Sequence, residues 1–150
     1  MADLKDALAL HSAHPPIDLH ADTLMWTRWV GYDIHKAHVP PLPLKAFGGH
    51  VDLPRMRNAK MGGQFFGLVS LPVSERARGL GRAIDEQIDA LDEAILRRPG
   101  AITLARSADD IERATQNGTI AALLGIEGAH ALEVDLTRVD HFARRGVRYM

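Results

Sequence analysis

Thr119-Ile120-Ala121-Ala122-Leu123-Leu124-Gly125-Ile126-Glu127 is an almost unbroken apolar run closed by a carboxylate. A strand with one wet face alternates apolar and polar residues. A run without alternation marks a strand covered on both faces, as in a parallel sheet. Gln64-Phe65-Phe66-Gly67-Leu68-Val69-Ser70-Leu71 is a second such run, closed by Pro72. Upstream, Ile17-Asp18-Leu19-His20 is too short for a helix and reads as a buried strand. Downstream, Val147-Arg148-Tyr149-Met150 starts a fourth.

Helical patterns separate these strands. From about Arg76 to Arg98, Ile84, Ile88, Leu91 and Ile95 form one apolar stripe. Arg97 and Arg98 suit its negative end, and Pro99-Gly100 stops it. After a short extended piece, Ile102 to Ala105, Ser107-Ala108-Asp109-Asp110 resembles a capping box and opens a helix that Asn117-Gly118 closes. A further helix covers about Leu136 to Arg145, with Leu136, Val139, Phe142 and Ala143 as its inner face and Gly146 as its cap. Near the start, Asp3 to Leu10 reads as a short helix ended by Pro15-Pro16, and Thr23 to Val30 as a helical turn or irregular wall. Gly31 to Gly49, with Pro40, Pro41 and Pro43, reads as a long loop. Asp52-Leu53-Pro54-Arg55-Met56 opens a short helix ending near Gly62-Gly63.

Four strands with intervening helices predict an α/β fold with a parallel sheet. An open doubly wound sheet and part of a (β/α)8 TIM-type barrel both fit. No G-x-G-x-x-G follows the first strand, which weakens the dinucleotide-binding alternative. Polar residues at the strands' C-terminal ends favour the barrel, whose sites lie there.

The chain of 150 residues is 46% hydrophobic and 25% charged, enough to bury one core. Its formal net charge is −1 and its arginines are scattered, so no nucleic-acid surface is expected. No apolar run reaches the ~20 residues of a membrane span, and no secretory signal is visible. Cysteine is absent, which removes disulfides, thiolate metal sites and cysteine nucleophiles together and fits a cytoplasmic protein. Any metal must be held by histidine and carboxylate.

His20 and Asp22 are such a pair. Alternate residues of a strand share a face, so the two project together. The triplet alone is a common chance occurrence. Glu127 closes the third buried strand; it is a surface loop residue, a partner for an arginine, or a third ligand. With His20 and Asp22 at the same end of the same sheet, the metal reading is favoured. The histidines at 11, 14, 35, 38 and 50 read as solvated loop or surface residues, Trp26 and Trp29 as core packing, and the Phe65-Phe66 pair as barrel and helix packing.

These residues resemble a family. Ile17-Asp18-Leu19-His20-Ala21-Asp22-Thr23-Leu24 is similar to the D-G-H-N-D-L motif of the renal (membrane) dipeptidases, zinc metallopeptidases of the amidohydrolase superfamily. Asp52-Leu53-Pro54-Arg55-Met56-Arg57 followed by Gly62-Gly63-Gln64-Phe65-Phe66 resembles their helix and second strand. Gly125-Ile126-Glu127-Gly128-Ala129-His130 resembles their I-E-G-G-H turn, and Gly146-Val147-Arg148-Tyr149-Met150 their next strand. Leu19, Ala21 and Ala129 depart from the family's glycine, asparagine and glycine.

The resemblance implies the N-terminal part of a (β/α)8 barrel, one partial domain over residues 1–150, with two zinc ions in the complete protein. His20 and Asp22 would bind one zinc and Glu127 would bridge both. Glu127 would act catalytically with a metal-bound water, whose hydroxide attacks the peptide carbonyl of a small dipeptide. A complete barrel takes ~250 residues. The remaining ligands and the substrate-binding residues would then lie beyond residue 150, and this length of chain alone would have little activity. His130, in the turn, and His141, in a helix, do not replace them. The alternatives are a non-catalytic half-barrel that self-associates as a homodimer through its unpaired edges, or another amidohydrolase acting on a cyclic amide or ester.

Overall fold

The computed structural model describes residues 3–39 and 49–150. Helix α1 (Leu4–Ala13) is capped by Asp3, whose side chain accepts from the Lys5 amide. Strand β1 (Ile17–Ala21) leads into helix α2 (Thr23–Val30), so the stretch read as a turn or wall is helical. Helix α3 (Leu53–Asn58) is capped by buried Asp52, which accepts from the Arg55 amide. Then come strand β2 (Gly63–Val69), helix α4 (Leu80–Arg97), strand β3 (Ile102–Leu104), helix α5 (Ala108–Gln116) and strand β4 (Ile120–Glu127). A 3-10 turn (Ala129–Leu132), helix α6 (Thr137–Arg145) and strand β5 (Val147–Tyr149) follow.

All five strands are parallel, and the sheet is open. β1 pairs with β2, and β2 with β4 along nearly its whole length. The far edge of β4 is shared. β3 takes its lower part, opposite Ile120, Ala121 and Ala122; β5 takes its upper part, opposite Leu124 and Gly125. The sheet thus has one strand more than the sequence predicts. Ile102–Leu104 is too short to declare itself locally, and it is a strand because β4 offers a free edge there. The expected α/β architecture with a parallel sheet stands.

Strand alternation gives the sheet two faces. Phe66 and Leu68 of β2, with Leu124 and Ile126 of β4, pack against Ile84, Ile88 and Leu91 of α4 in the main core. The stripe read from the sequence is therefore the buried face of α4. On the other face a smaller cluster joins Ala121 and Leu123 to Ala114 of α5, with Phe65 and Ile111 alongside, towards the strands' N-terminal ends. Above it, at the C-terminal ends, this face is open.

Two helical readings change. α4 begins at Leu80 rather than Arg76, because Gly79 has φ 94°, outside the helical region, and the Glu133 carboxylate accepts from the Leu80 and Gly81 amides. In α6 only Phe142 is buried; Leu136, Val139 and Ala143 are exposed. The segment after α2 is better packed than a loop reading suggests. Tyr32, Ile34 and His35 are buried, and the His35 Nε2 lies 2.9 Å from the Ala94 carbonyl oxygen. Pro40, Pro41 and Pro43 lie outside the described residues. Half-buried Arg28 of α2 pairs with Glu75 and, at 3.3 Å, with Glu86, tying α2 to the β2–α4 connection and to α4. No helix among the described residues is long and apolar enough to cross a membrane.

Candidate metal centre

His20, Asp22 and Glu127 meet at the C-terminal ends of β1 and β4. One donor atom from each lies within 4.8 Å of the others. His20 Nε2 is 3.1 Å from Asp22 Oδ1 and 3.3 Å from Glu127 Oε2. The Asp22 Oδ1 is itself buried and lacks a hydrogen-bond partner, so its approach to His20 is proximity without a hydrogen bond's geometry. A buried carboxylate oxygen without a donor is costly unless something else neutralises it. Three N and O donors converging around such an oxygen suit a cation of the zinc type.

The electrostatics agree. Burial pushes the Asp22 carboxyl above its ordinary value; the Glu127 charge adds to this and His20 opposes it. A cation at this point would reverse the balance by favouring the carboxylate. Glu127 is 57% exposed. Its strand is buried but its own side chain stands on the open face, so the cost of burial argued from sequence does not apply to it. The convergence carries the reading instead.

Backbone space makes the convergence possible. Gly67 lies between Phe66 and Leu68 on β2 and faces the cluster. A Cβ there would overlap Asp22 Oδ1 and stand 2.8 Å from His20 Cε1. Its register partner on β4 is Gly125, where a Cβ would overlap the ring of Tyr149. The two glycines make a flat floor, with His20 and Asp22 over one and Tyr149 over the other. The Tyr149 ring also lies 5.2 Å from that of Phe65. Burial, then the charges of Asp22 and Glu127, push its phenol above the ordinary value. In the sequence both glycines stand inside apolar runs and Tyr149 is one residue of a short strand. A glycine inside a strand run does signal close approach by another group, and both runs carry one.

Five further histidines are engaged elsewhere. His130 Nε2 lies 2.7 Å from the Ser70 carbonyl oxygen, and His141 Nε2 2.8 Å from Asp85 Oδ1. His38 Nε2 is 2.7 Å from the Asp33 carbonyl oxygen, and His11 Nδ1 is 2.8 Å from that of Ala59. His35 is buried rather than solvated. His20, Asp22 and Glu127 form the single such cluster among the described residues. A groove beside His11, Arg57 and Thr115 lies at the N-terminal ends of the strands, away from it.

Comparison with known proteins agrees with this geometry. The family model described as membrane dipeptidase (peptidase family M19) matches residues 4–150. Dipeptidase 3 of Mus musculus is 31% identical over 147 residues, covering 97% of this chain and 28% of the mouse protein. Dipeptidase ataJ of Aspergillus terreus is 31% identical over 143 residues, covering 90% of this chain and 34% of the fungal protein. Among solved structures, the probable dipeptidase PvdM from Pseudomonas aeruginosa superposes with a TM-score of 0.78 at 20% identity, over 97% of this chain and 36% of that one. A metallo peptidase from Rhodobacter sphaeroides, liganded with a phosphinate mimic of the dipeptide L-Ala-D-Ala, gives a TM-score of 0.70 at 21% identity, over 89% and 44%. The chain thus spans about a third of the length of the curated relatives it matches. Its open parallel sheet is the N-terminal part of the barrel those structures share. With the family matched from residue 4 to residue 150, the chain belongs to the membrane dipeptidase family, peptidase family M19.

Proposed function

We propose that this chain supplies one side of a zinc centre in a dipeptidase that hydrolyses the peptide bond of small dipeptides. The observation that carries the reading is the convergence of His20, Asp22 and Glu127 within 4.8 Å, around a carboxylate oxygen with no hydrogen-bond partner. The mouse and fungal relatives are dipeptidases by name, and the Rhodobacter sphaeroides protein is liganded with a dipeptide mimic; both facts support a dipeptide as substrate.

When bound, zinc supplies Lewis acidity, which polarises an amide carbonyl and acidifies water. The residues do the rest. His20 and Asp22 fix the position of one ion, and the Gly67 floor keeps them side by side. Glu127 is the most exposed of the three and would hold the metal from the β4 side. Where one of its oxygens stays free of metal, Glu127 would take a proton from the attacking water and return it to the leaving amine. Three ligands fill neither coordination shell of a two-zinc site, so activity is assigned to a longer protein that contains this chain.

The test is hydrolysis of simple dipeptides by the longer protein and by the 150-residue chain, each with zinc and with chelator. The proposal expects zinc-dependent hydrolysis by the longer protein that His20→Ala abolishes, and a rate near that of buffer for the chain alone. Hydrolysis by the longer protein that survives both chelation and His20→Ala would refute the metal role.

A further inference from the structure

We propose that Tyr149 is a positioning residue for the metal centre, reaching from β5 across the glycine floor to hold the bulged peptide of β1 from which His20 projects, two residues before Asp22 at the start of α2. The inference rests on the metal reading above and adds a residue outside its ligand set.

β1 is an edge strand, and its pairing with β2 is irregular. Asp18 is opposite Gln64, but Ala21 is opposite Phe66, so three steps of β1 match two of β2. Such a bulge leaves backbone groups without ladder partners. The affected peptide unit is the one joining Leu19 to His20. Its amide N–H, on His20, donates to Asp18 Oδ1 at 2.8 Å. Its carbonyl, on Leu19, accepts from the Tyr149 hydroxyl at 3.4 Å. Side chains therefore hold both polar ends of one peptide. Packing does not, because the Leu19 side chain is 69% exposed.

The path from β5 to β1 is specific. β4 and β2 lie between them, and any side chain at their crossing points would block it. Gly125 and Gly67 are register partners there. The Tyr149 ring lies where a Gly125 Cβ would be, with Phe65 beside it. A second irregularity, between Leu124 and Gly125 in the β4–β5 pairing, places Val147 in the main core and Tyr149 on the site face. Two bulges and two glycines thus join one phenol to one carbonyl. A peptide plane free to tilt at residues 19 and 20 would swing the imidazole of the next side chain, and with it one donor atom of the cluster.

The experiment compares wild type with Tyr149→Phe, Gly125→Ala and His20→Ala in the 150-residue chain. In metal-free protein, the Leu19 carbonyl carbon and His20 amide resonances are recorded. Co(II) alone is then titrated, with its visible absorption as the readout. Tyr149→Phe keeps the ring on its seat and removes only the hydroxyl. It should shift the Leu19 carbonyl resonance and weaken Co(II) binding about tenfold, with no change in thermal midpoint. Gly125→Ala should shift the same resonance and weaken Co(II) binding by displacing the ring. Both changes are required: a Leu19 resonance that Tyr149→Phe leaves in place, or unchanged Co(II) affinity, overturns the proposal. Failure of the metal reading looks different. In that case the wild-type chain takes up no Co(II), or takes it up equally after His20→Ala, and the positioning role falls with it.

Discussion

On β2, Phe66 and Leu68 pack into the main core while Gly67, between them, faces His20 and Asp22. On β4, Leu124 and Ile126 flank Gly125 in the same way, and Gly125 faces Tyr149. One face of the sheet is filled with large side chains that α4 covers. The other is emptied by glycine so that side chains from β1 and β5 can lie across it. Alternate residues of the same strands thus divide the work. Toward the strands' C-terminal ends, even positions hold the fold together and odd positions leave room for chemistry. Substitutions one residue apart should therefore have effects of different kinds.

The largest effect belongs to the covered face. Phe66 has no exposed surface, and Phe66→Ala removes a ring from a close-packed core. The expected loss is about 4 kcal/mol, a large part of the stability of a domain this size. Chemical denaturation followed by circular dichroism measures it, and Co(II) binding should weaken only as far as the fold does. One residue along, Gly67→Ala should invert that pattern. The atoms its Cβ meets are the ends of the His20 and Asp22 side chains, which can swing aside. Stability should fall by about 1 kcal/mol or less, whereas the displaced donors should cost about 100-fold in Co(II) affinity. Equal losses of stability in the two variants would break the division between faces.

A smaller effect, away from both faces, is expected at Glu133. Hydrogen bonds from the Leu80 and Gly81 amides hold its carboxyl below the ordinary value, and Arg138, at 3.0 Å, adds to this. A carboxyl lowered in the folded state stabilises fully above its ordinary value of 4.5. That contribution is lost as pH falls through the lower folded value. Glu133→Gln should therefore cost about 1 kcal/mol at neutral pH and leave a shallower acid slope below pH ~4.5. Thermal midpoints across that range measure both, and Co(II) affinity at neutral pH should not change.

Much of this plan is legible in the sequence. The unalternating runs at 64–71 and 119–127 mark β2 and β4, and the stripe Ile84, Ile88, Leu91 marks the covered face of α4. His20, Asp22 and Glu127 stand out through strand ends and motif order. What escaped depends on distant partners. Ile102–Leu104 becomes a strand only because β4 has an edge to share. α4 starts at Leu80 because Gly79 leaves the helical region and Glu133, far along the chain, caps it. Gly67 and Gly125 were visible as strand glycines, but the groups they seat come from β1 and β5. Tyr149 is legible only as part of a strand, since a bulge in the β4–β5 pairing decides which way it points.

The most direct measurement is diffraction from crystals soaked in zinc, with anomalous data collected at the zinc edge. The account predicts a peak about 2.0–2.2 Å from His20 Nε2 and from an oxygen of Asp22 and of Glu127, lost in His20→Ala crystals. A soaked crystal with no peak above the Gly67 floor, or with its zinc bound only by other histidines, would contradict it.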